Sequence, residues 1–200
     1  MAQQMAQQMG WRSMDEKLKI NLGSGHWKFK GWVNVDLDHA SGPDVIANLA
    51  TGLPFATGTA RLMNTEDFID QLELDQAANF LRECHRILSP GGVLRVLTPD
   101  LQKLAHLYLN DPARLEELWK KFVRVPLSLN TPGEIFNIGM RFAGHTFLYD
   151  AETFQALASC CGFEARRVEY QQSEQPELCG LDLRSPEEAV SMYFDCYRLD

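Results

Sequence analysis

Residues 18–25 read Leu18-Lys-Ile-Asn-Leu-Gly-Ser-Gly25, and residues 32–38 read Trp32-Val-Asn-Val-Asp-Leu-Asp38. Each opens as a short alternation of apolar and polar residues, the period of a half-buried strand. The first stops in a glycine turn and the second in acid. A glycine turn at the carboxyl end of a strand lets a ligand approach the backbone with no Cβ in the way. An acid ending the neighbouring strand can accept hydrogen bonds from a pair of ribose hydroxyls. Ligands of open α/β sheets sit at this edge. The pair therefore predicts a parallel sheet with a nucleoside-type site at its carboxyl edge. It is not a dinucleotide fingerprint. Lys28 stands where a third glycine belongs, only 11 positions separate Gly25 from Asp36, and no helix opens at the glycines.

The rest of the chain fits that frame. Asp44-Val-Ile-Ala-Asn-Leu49 is a third short apolar run, ended by the turn Thr51-Gly-Leu-Pro-Phe55, and Ala60 to Asn64 is a fourth. Helical periodicity covers Asp75 to Leu88 and stops at Ser89-Pro-Gly-Gly92. Val93 to Leu97 is a strand. Residues 101–125 read as helix with a break at Asn110-Asp-Pro112, and 126–144 as irregular. A helix over Ala151–Cys161 has Asp150 as its N-cap, and a strand follows over Phe163–Tyr170. Residues 171–184 read as irregular, with a short strand near Leu178–Leu183. A last helix is expected from Ser185, with Val190, Tyr193, Phe194 and Tyr197 on its apolar face. The expected fold is α/β, a Rossmann-like, doubly wound, mostly parallel sheet built from 17–100 and 146–184. Residues 1–16 are a flexible tail, 17–200 a single domain, and 101–145 a helical cap or lid within it.

At 200 residues the chain suits one domain. Lys+Arg is 19 and Asp+Glu 27, a net charge of −8, which argues against nucleic acid as a partner. No apolar run reaches the ~18 residues that span a bilayer, so no membrane association is expected. The five cysteines, Cys84, Cys160, Cys161, Cys179 and Cys196, include no CxxC pair and no His/Cys spacing for a metal. A reducing, cytoplasmic setting without a metal site follows as the expectation. In 126–145, six large apolar residues (Leu127, Leu129, Ile135, Phe136, Ile138 and Phe142) must pack on cap helices, a bound acceptor or a partner subunit, which leaves a homo-oligomer open. The same stretch is expected to lie over the carboxyl edge and to be poorly ordered without ligand.

With these pieces in order, LKINLGSG, GWVNVDLD, DVIANLATGLPF, FLRECHRILSPGGVLRVLTPDL and GHTFLYDAETFQALASCCGF, the chain resembles the class I S-adenosylmethionine-dependent methyltransferases. It is most similar to the small type 11-like subgroup, over roughly residues 17–183. The resemblance implies S-adenosylmethionine as cofactor and methyl transfer to a small-molecule or carbohydrate-type acceptor. The alternative is a non-catalytic methyltransferase-like scaffold or interaction module. The resemblance sets Gly23, Ser24 and Gly25 at the methionine part of the cofactor and counts Asn21 among the cofactor-binding residues. It sets Asp36 on the ribose hydroxyls, Leu37 on adenine, Asn48 and Leu49 at the adenine edge, and Asn64 and Thr65 at the sulfonium. Asp70-Gln71 stands where that family often has a Glu-His pair. His145, in Gly-His-Thr-Phe-Leu-Tyr-Asp, is the candidate base.

Overall fold

The computed structural model describes residues 17–200; the tail expected over 1–16 lies outside the described residues. Seven strands form one sheet: β1 (Leu18–Leu22), β2 (Val33–Asp36), β3 (Val45–Ile46), β4 (Ala60–Glu66), β5 (Leu88–Pro99), β6 (Phe163–Val168) and β7 (Ser191–Arg198). Their order is β3-β2-β1-β4-β5-β7-β6. The pairings from β3 across to β5 are all parallel, and β7 runs antiparallel to both β5 and β6. The chain passes from β1 outward to β3 and then returns to β4 on the other side of β1. That reversal opens a notch at the carboxyl ends of β1 and β4, where open α/β sheets take their ligands.

Helix α1 (Leu74–Ile87) buries Ala77, Phe80, Leu81, Cys84 and Ile87, the helical spacing visible in the sequence. Gln76 Oε1 accepts from the Glu73 amide at 3.1 Å at its start. The expected helix over 101–125 is three pieces: α2 (Leu101–Asn110), α3 (Pro112–Leu118) and a π-turn over Trp119–Val123. Asp100 Oδ1 caps α2 by accepting from Lys103 N at 3.1 Å. Asp111 Oδ1 does the same for Arg114 N at the start of α3, at 3.1 Å. Helix α5 (Ala151–Cys160) starts as expected, with Asp150 Oδ1 accepting from Thr153 N at 2.8 Å. The main core lies between the sheet, α1 and α5.

Three expectations need correction. Residues 126–144 are not wholly irregular: α4 (Pro132–Gly139) forms there, capped by Thr131 Oγ1 accepting from Glu134 N at 3.2 Å. Its signal was a Thr-Pro start, an N-cap followed by proline at the first helical position. Four of the six apolar residues in that stretch, Leu127, Ile135, Phe136 and Ile138, pack with Leu104, Leu115 and Trp119 in a second apolar cluster; Leu129 is exposed. No strand forms near Leu178–Leu183.

The helix expected from Ser185 is the largest miss. One turn forms, with the Glu188 and Ala189 amides donating to Ser185 O, and then the chain extends into β7. Val190, Tyr193, Phe194 and Tyr197 do have helical spacing. Residues 191–196 are nevertheless buried without alternation, because an interior strand is covered on both faces. Periodicity cannot separate such a run from a buried helix. The sheet therefore draws on 191–198, beyond the 17–100 and 146–184 expected.

Candidate cofactor site

Register lines up the carboxyl ends. Leu22 of β1 pairs with Val35 of β2 and Thr65 of β4, so Gly23, Asp36 and Glu66 all stand one step beyond the same rung. Gly23 and Gly25 have φ of 68° and 48°, the left-handed region that glycine enters without strain. Gly23 N and Ser24 N both donate to Val35 O, at 2.9 and 3.0 Å, and fold the turn onto β2. A Cβ at Gly23 would meet Phe68 at 3.4 Å, whereas at Gly25 it would meet open space.

Asp36 accepts from Gly25 N on Oδ2 at 2.7 Å and from Asp38 N on Oδ1 at 2.8 Å. A carboxylate has about four lone-pair sites, so two remain for ligand hydroxyls. Leu37 beside it is 62% exposed, an apolar face with nothing over it. Asn21 and Asn64 do not present free amides. Asn64 Nδ2 donates to Asn21 Oδ1 at 3.0 Å, and Asn21 Nδ2 donates to Trp27 O at 3.0 Å and Asn34 Oδ1 at 3.2 Å. With Asn34 Oδ1 also accepting from Phe29 N at 2.8 Å, this buried network holds the 23–32 loop in place of a helix.

Two expected residues, on the stretch that follows β3, turn their side chains to the protein itself. Leu49 is buried in the apolar core, and Asn48 Oδ1 turns back to accept from Ala50 N at 3.0 Å. Ser24 Oγ, Thr65 Oγ1 and Glu66 Oε1, by contrast, are buried and without hydrogen-bond partners. Leaving such groups unsatisfied costs free energy, and a ligand able to pair with them would recover it.

His145 is not part of the cleft lining, though it stands near enough to act on Asp67, which is. Its Nδ1 lies 3.0 Å from Gly139 O and its Nε2 3.2 Å from Asp70 Oδ2. Thr146 N and Phe147 N both donate to Asp70 O, which ties the end of the 126–145 stretch to the carboxyl edge of β4. Asp70 is fully buried and takes a hydrogen bond from Thr98 Oγ1 at 3.0 Å. Burial raises its carboxyl and the His145 charge draws it back down. The imidazole that residue 71 lacks in sequence thus arrives beside Asp70 from another segment.

Sequence reasoning missed the acids of the cleft. A cavity of about 100 Å³ is lined by Gly23, Ser24, Trp27, Asn64, Glu66 and Asp67, with Leu183 and Arg184 closing it from the far end of the chain. Leu183 N donates to Glu66 Oε2 at 3.1 Å, and Arg184 Nε pairs with Asp67 Oδ2 at 3.2 Å. Burial pushes Glu66 up to about 7. Asp67, with φ of 50°, is also raised by burial, against the pull of Arg184. The available signal was period two: Glu66 is two residues past Asn64 and shares its face.

No protein-family model matches the chain, and no curated protein sequence does. Solved structures do match. An S-adenosylmethionine-dependent methyltransferase from Mesorhizobium loti superposes with a TM-score of 0.53 at 16% identity, covering 99% of this chain and 98% of that one. One from Methanosarcina mazei gives 0.55 at 12%, covering 96% of each chain. One from Thermotoga maritima, described as a possible histamine N-methyltransferase, gives 0.53 at 15%, covering 97% and 87%. At such identity the likeness is one of architecture: strand order, the antiparallel β7 and the glycine turn facing Asp36 together give this chain the class I S-adenosylmethionine-dependent methyltransferase fold.

Proposed function

We propose that the chain is an S-adenosylmethionine-dependent methyltransferase acting on a small-molecule or carbohydrate-type acceptor. The observation that carries this reading is the open Gly23–Gly25 turn level with Asp36 at the β1/β4 notch, with three unpaired buried polar atoms around it. Asp36 would hold the ribose hydroxyls and Leu37 would cover one face of the base. Gly23, Ser24, Thr65 and Glu66 would surround the methionine part. The bound cofactor supplies an electrophilic methyl group, so the protein's work is to position an acceptor in line and keep water out. Trp27, 65% exposed at the rim of the cleft, offers an aromatic face, and Asp67 and Arg184 offer polar groups, a combination suited to a sugar ring. With both ring nitrogens facing protein atoms, His145 serves best as a positioning residue beside Asp70. The five cysteines are free thiols, which supports a cytoplasmic location. No helix among the described residues is long and apolar enough to cross a membrane.

Calorimetric titration with S-adenosylmethionine and S-adenosylhomocysteine tests the reading. Asp36→Ala removes a charged acceptor worth roughly 1.5–3 kcal/mol, so affinity should fall more than tenfold. Asp36→Asn, which keeps one acceptor for Gly25 N, controls for loss of the turn. Equal affinity in Asp36→Ala and the parent would place the pocket elsewhere. One observation favours the alternative of a non-catalytic scaffold: Leu183 and Arg184 leave a cleft of only about 100 Å³. That reading predicts that neither compound binds.

A further inference from the structure

The cleft carries more negative charge than its own cation can balance. Glu66 and Asp67 both line it, and Arg184 is the only cation among its lining residues. Arg184 is engaged by Asp67 at 3.2 Å. Glu66 is left with one neutral donor, the Leu183 amide, while its Oε1 is buried with no partner. The charged and titratable groups facing Glu66 are Asp67 at the end of its own strand, Asp182 and Arg184 from the crossing segment, and Tyr170 and Tyr193. Asp67 and Asp182 oppose its ionisation, Arg184 favours it, and the tyrosines are neutral. A half-paired buried carboxylate is costly unless a cation arrives. Glu66 stands level with Gly23, where the methionine part of the cofactor would lie.

We propose that Glu66 reads the charge of the cofactor, favouring the sulfonium over the neutral thioether left after methyl transfer and so helping to clear product from the site. The inference rests on the methyltransferase reading above. In the transfer, a lone pair of the acceptor forms the new bond to carbon as the carbon–sulfur pair returns to sulfur. The positive charge facing Glu66 is thereby lost, and any proton the acceptor sheds passes to water. What held the product's predecessor then no longer holds the product.

The test is calorimetry on the full chain with S-adenosylmethionine and S-adenosylhomocysteine at pH 6.0 and 7.5, in the parent and in Glu66→Gln. If the sulfonium lowers the carboxyl from about 7 to about 6, the preference for S-adenosylmethionine grows about fourfold between these pH values. Binding at pH 6.0 should also release protons, seen as a heat that depends on the buffer. Glu66→Gln keeps an acceptor for the Leu183 amide. It should lose most of the preference for S-adenosylmethionine over S-adenosylhomocysteine and show a preference unchanged across pH, which also controls for titration of the ligands themselves. A preference in the parent that does not move with pH, or equal weakening of both ligands in Glu66→Gln, overturns the proposal. If neither ligand binds the parent, the methyltransferase reading fails and takes this inference with it. Should Glu66→Gln not fold, the pH series and proton release of the parent decide.

Discussion

Gly23 and Glu66 face the same notch but constrain it differently. At Gly23 a side chain would meet two obstacles, a φ of 68° and Phe68 at 3.4 Å. Gly23→Val is therefore expected to lower the thermal midpoint and abolish binding of both S-adenosylmethionine and S-adenosylhomocysteine, with circular dichroism reporting whether the fold persists. Gly25→Ala faces only the backbone strain, about 1 kcal/mol, and should be the milder change. Glu66 makes a prediction about pH. Its folded carboxyl is raised from 4.5 to about 7, so the folded state holds this proton more tightly than the unfolded state. Its contribution is most favourable below pH 4.5 and is lost as pH rises through about 7. Glu66→Gln should accordingly raise the thermal midpoint at pH 8 and leave it nearly unchanged at pH 4.5, with about 2–4 °C gained per kcal/mol relieved. A gain of equal size at both pH values would show that packing, not charge, is responsible.

Among the elements, the segment from Gln171 to Arg184 shapes the cleft without belonging to the sheet. It is fixed by Arg95 of β5, which is fully buried. Arg95 reaches Asp182 at 2.5 and 2.9 Å, Asp195 of β7 at 2.9 Å and Gln172 O at 3.0 Å. Asp195 is held further by Ser173 Oγ at 2.6 Å. Arg95→Met would leave two buried carboxylates unpaired, a cost of about 3–5 kcal/mol. The Leu183 amide on Glu66 should then exchange with deuterium faster than amides of α1, since it is the local anchor that is cut. Uniform acceleration across the chain would mean that Arg95 supports the whole sheet instead. None of this was legible beforehand: a buried arginine with partners 87 and 100 positions away leaves no local pattern. The glycine turn, α1 and the cap at Asp150 were legible because their causes lie within a few residues. β7 was not, because burial on both faces erases the alternation that marks a strand. Glu66 was hidden for a different reason. An acid at the end of a strand looks solvated until Leu183 and Arg184 are seen to cover it.

The molecule as a whole divides its apolar residues among the sheet core, the cluster of Leu104, Leu115, Trp119, Ile135 and Leu148, and a third made of Trp32, Leu62, Val93 and Leu178. β7 is where distant parts of the chain meet. It pairs with β5 over Val93–Pro99 on one side and with β6 over Phe163–Val168 on the other. β6 touches the sheet through β7 alone, since no other strand borders it. Because β7 follows every one of its neighbours in sequence, a ribosome has made β1 to β6 before the piece that joins β6 to β5 exists. Until residues 191–198 emerge, β5 shows an unpaired edge, Arg95 lacks Asp195, and β6, though it packs on α5, has no strand to pair with. Such an exposed edge invites pairing with other chains. Released chains that stop at residue 190 should therefore be protease-sensitive and prone to aggregate, while released chains carried through Arg198 should resist both. The order in which the strands leave the ribosome thus sets when the β5 edge can close, and it ties the shaping of the Glu66 cleft to the same moment.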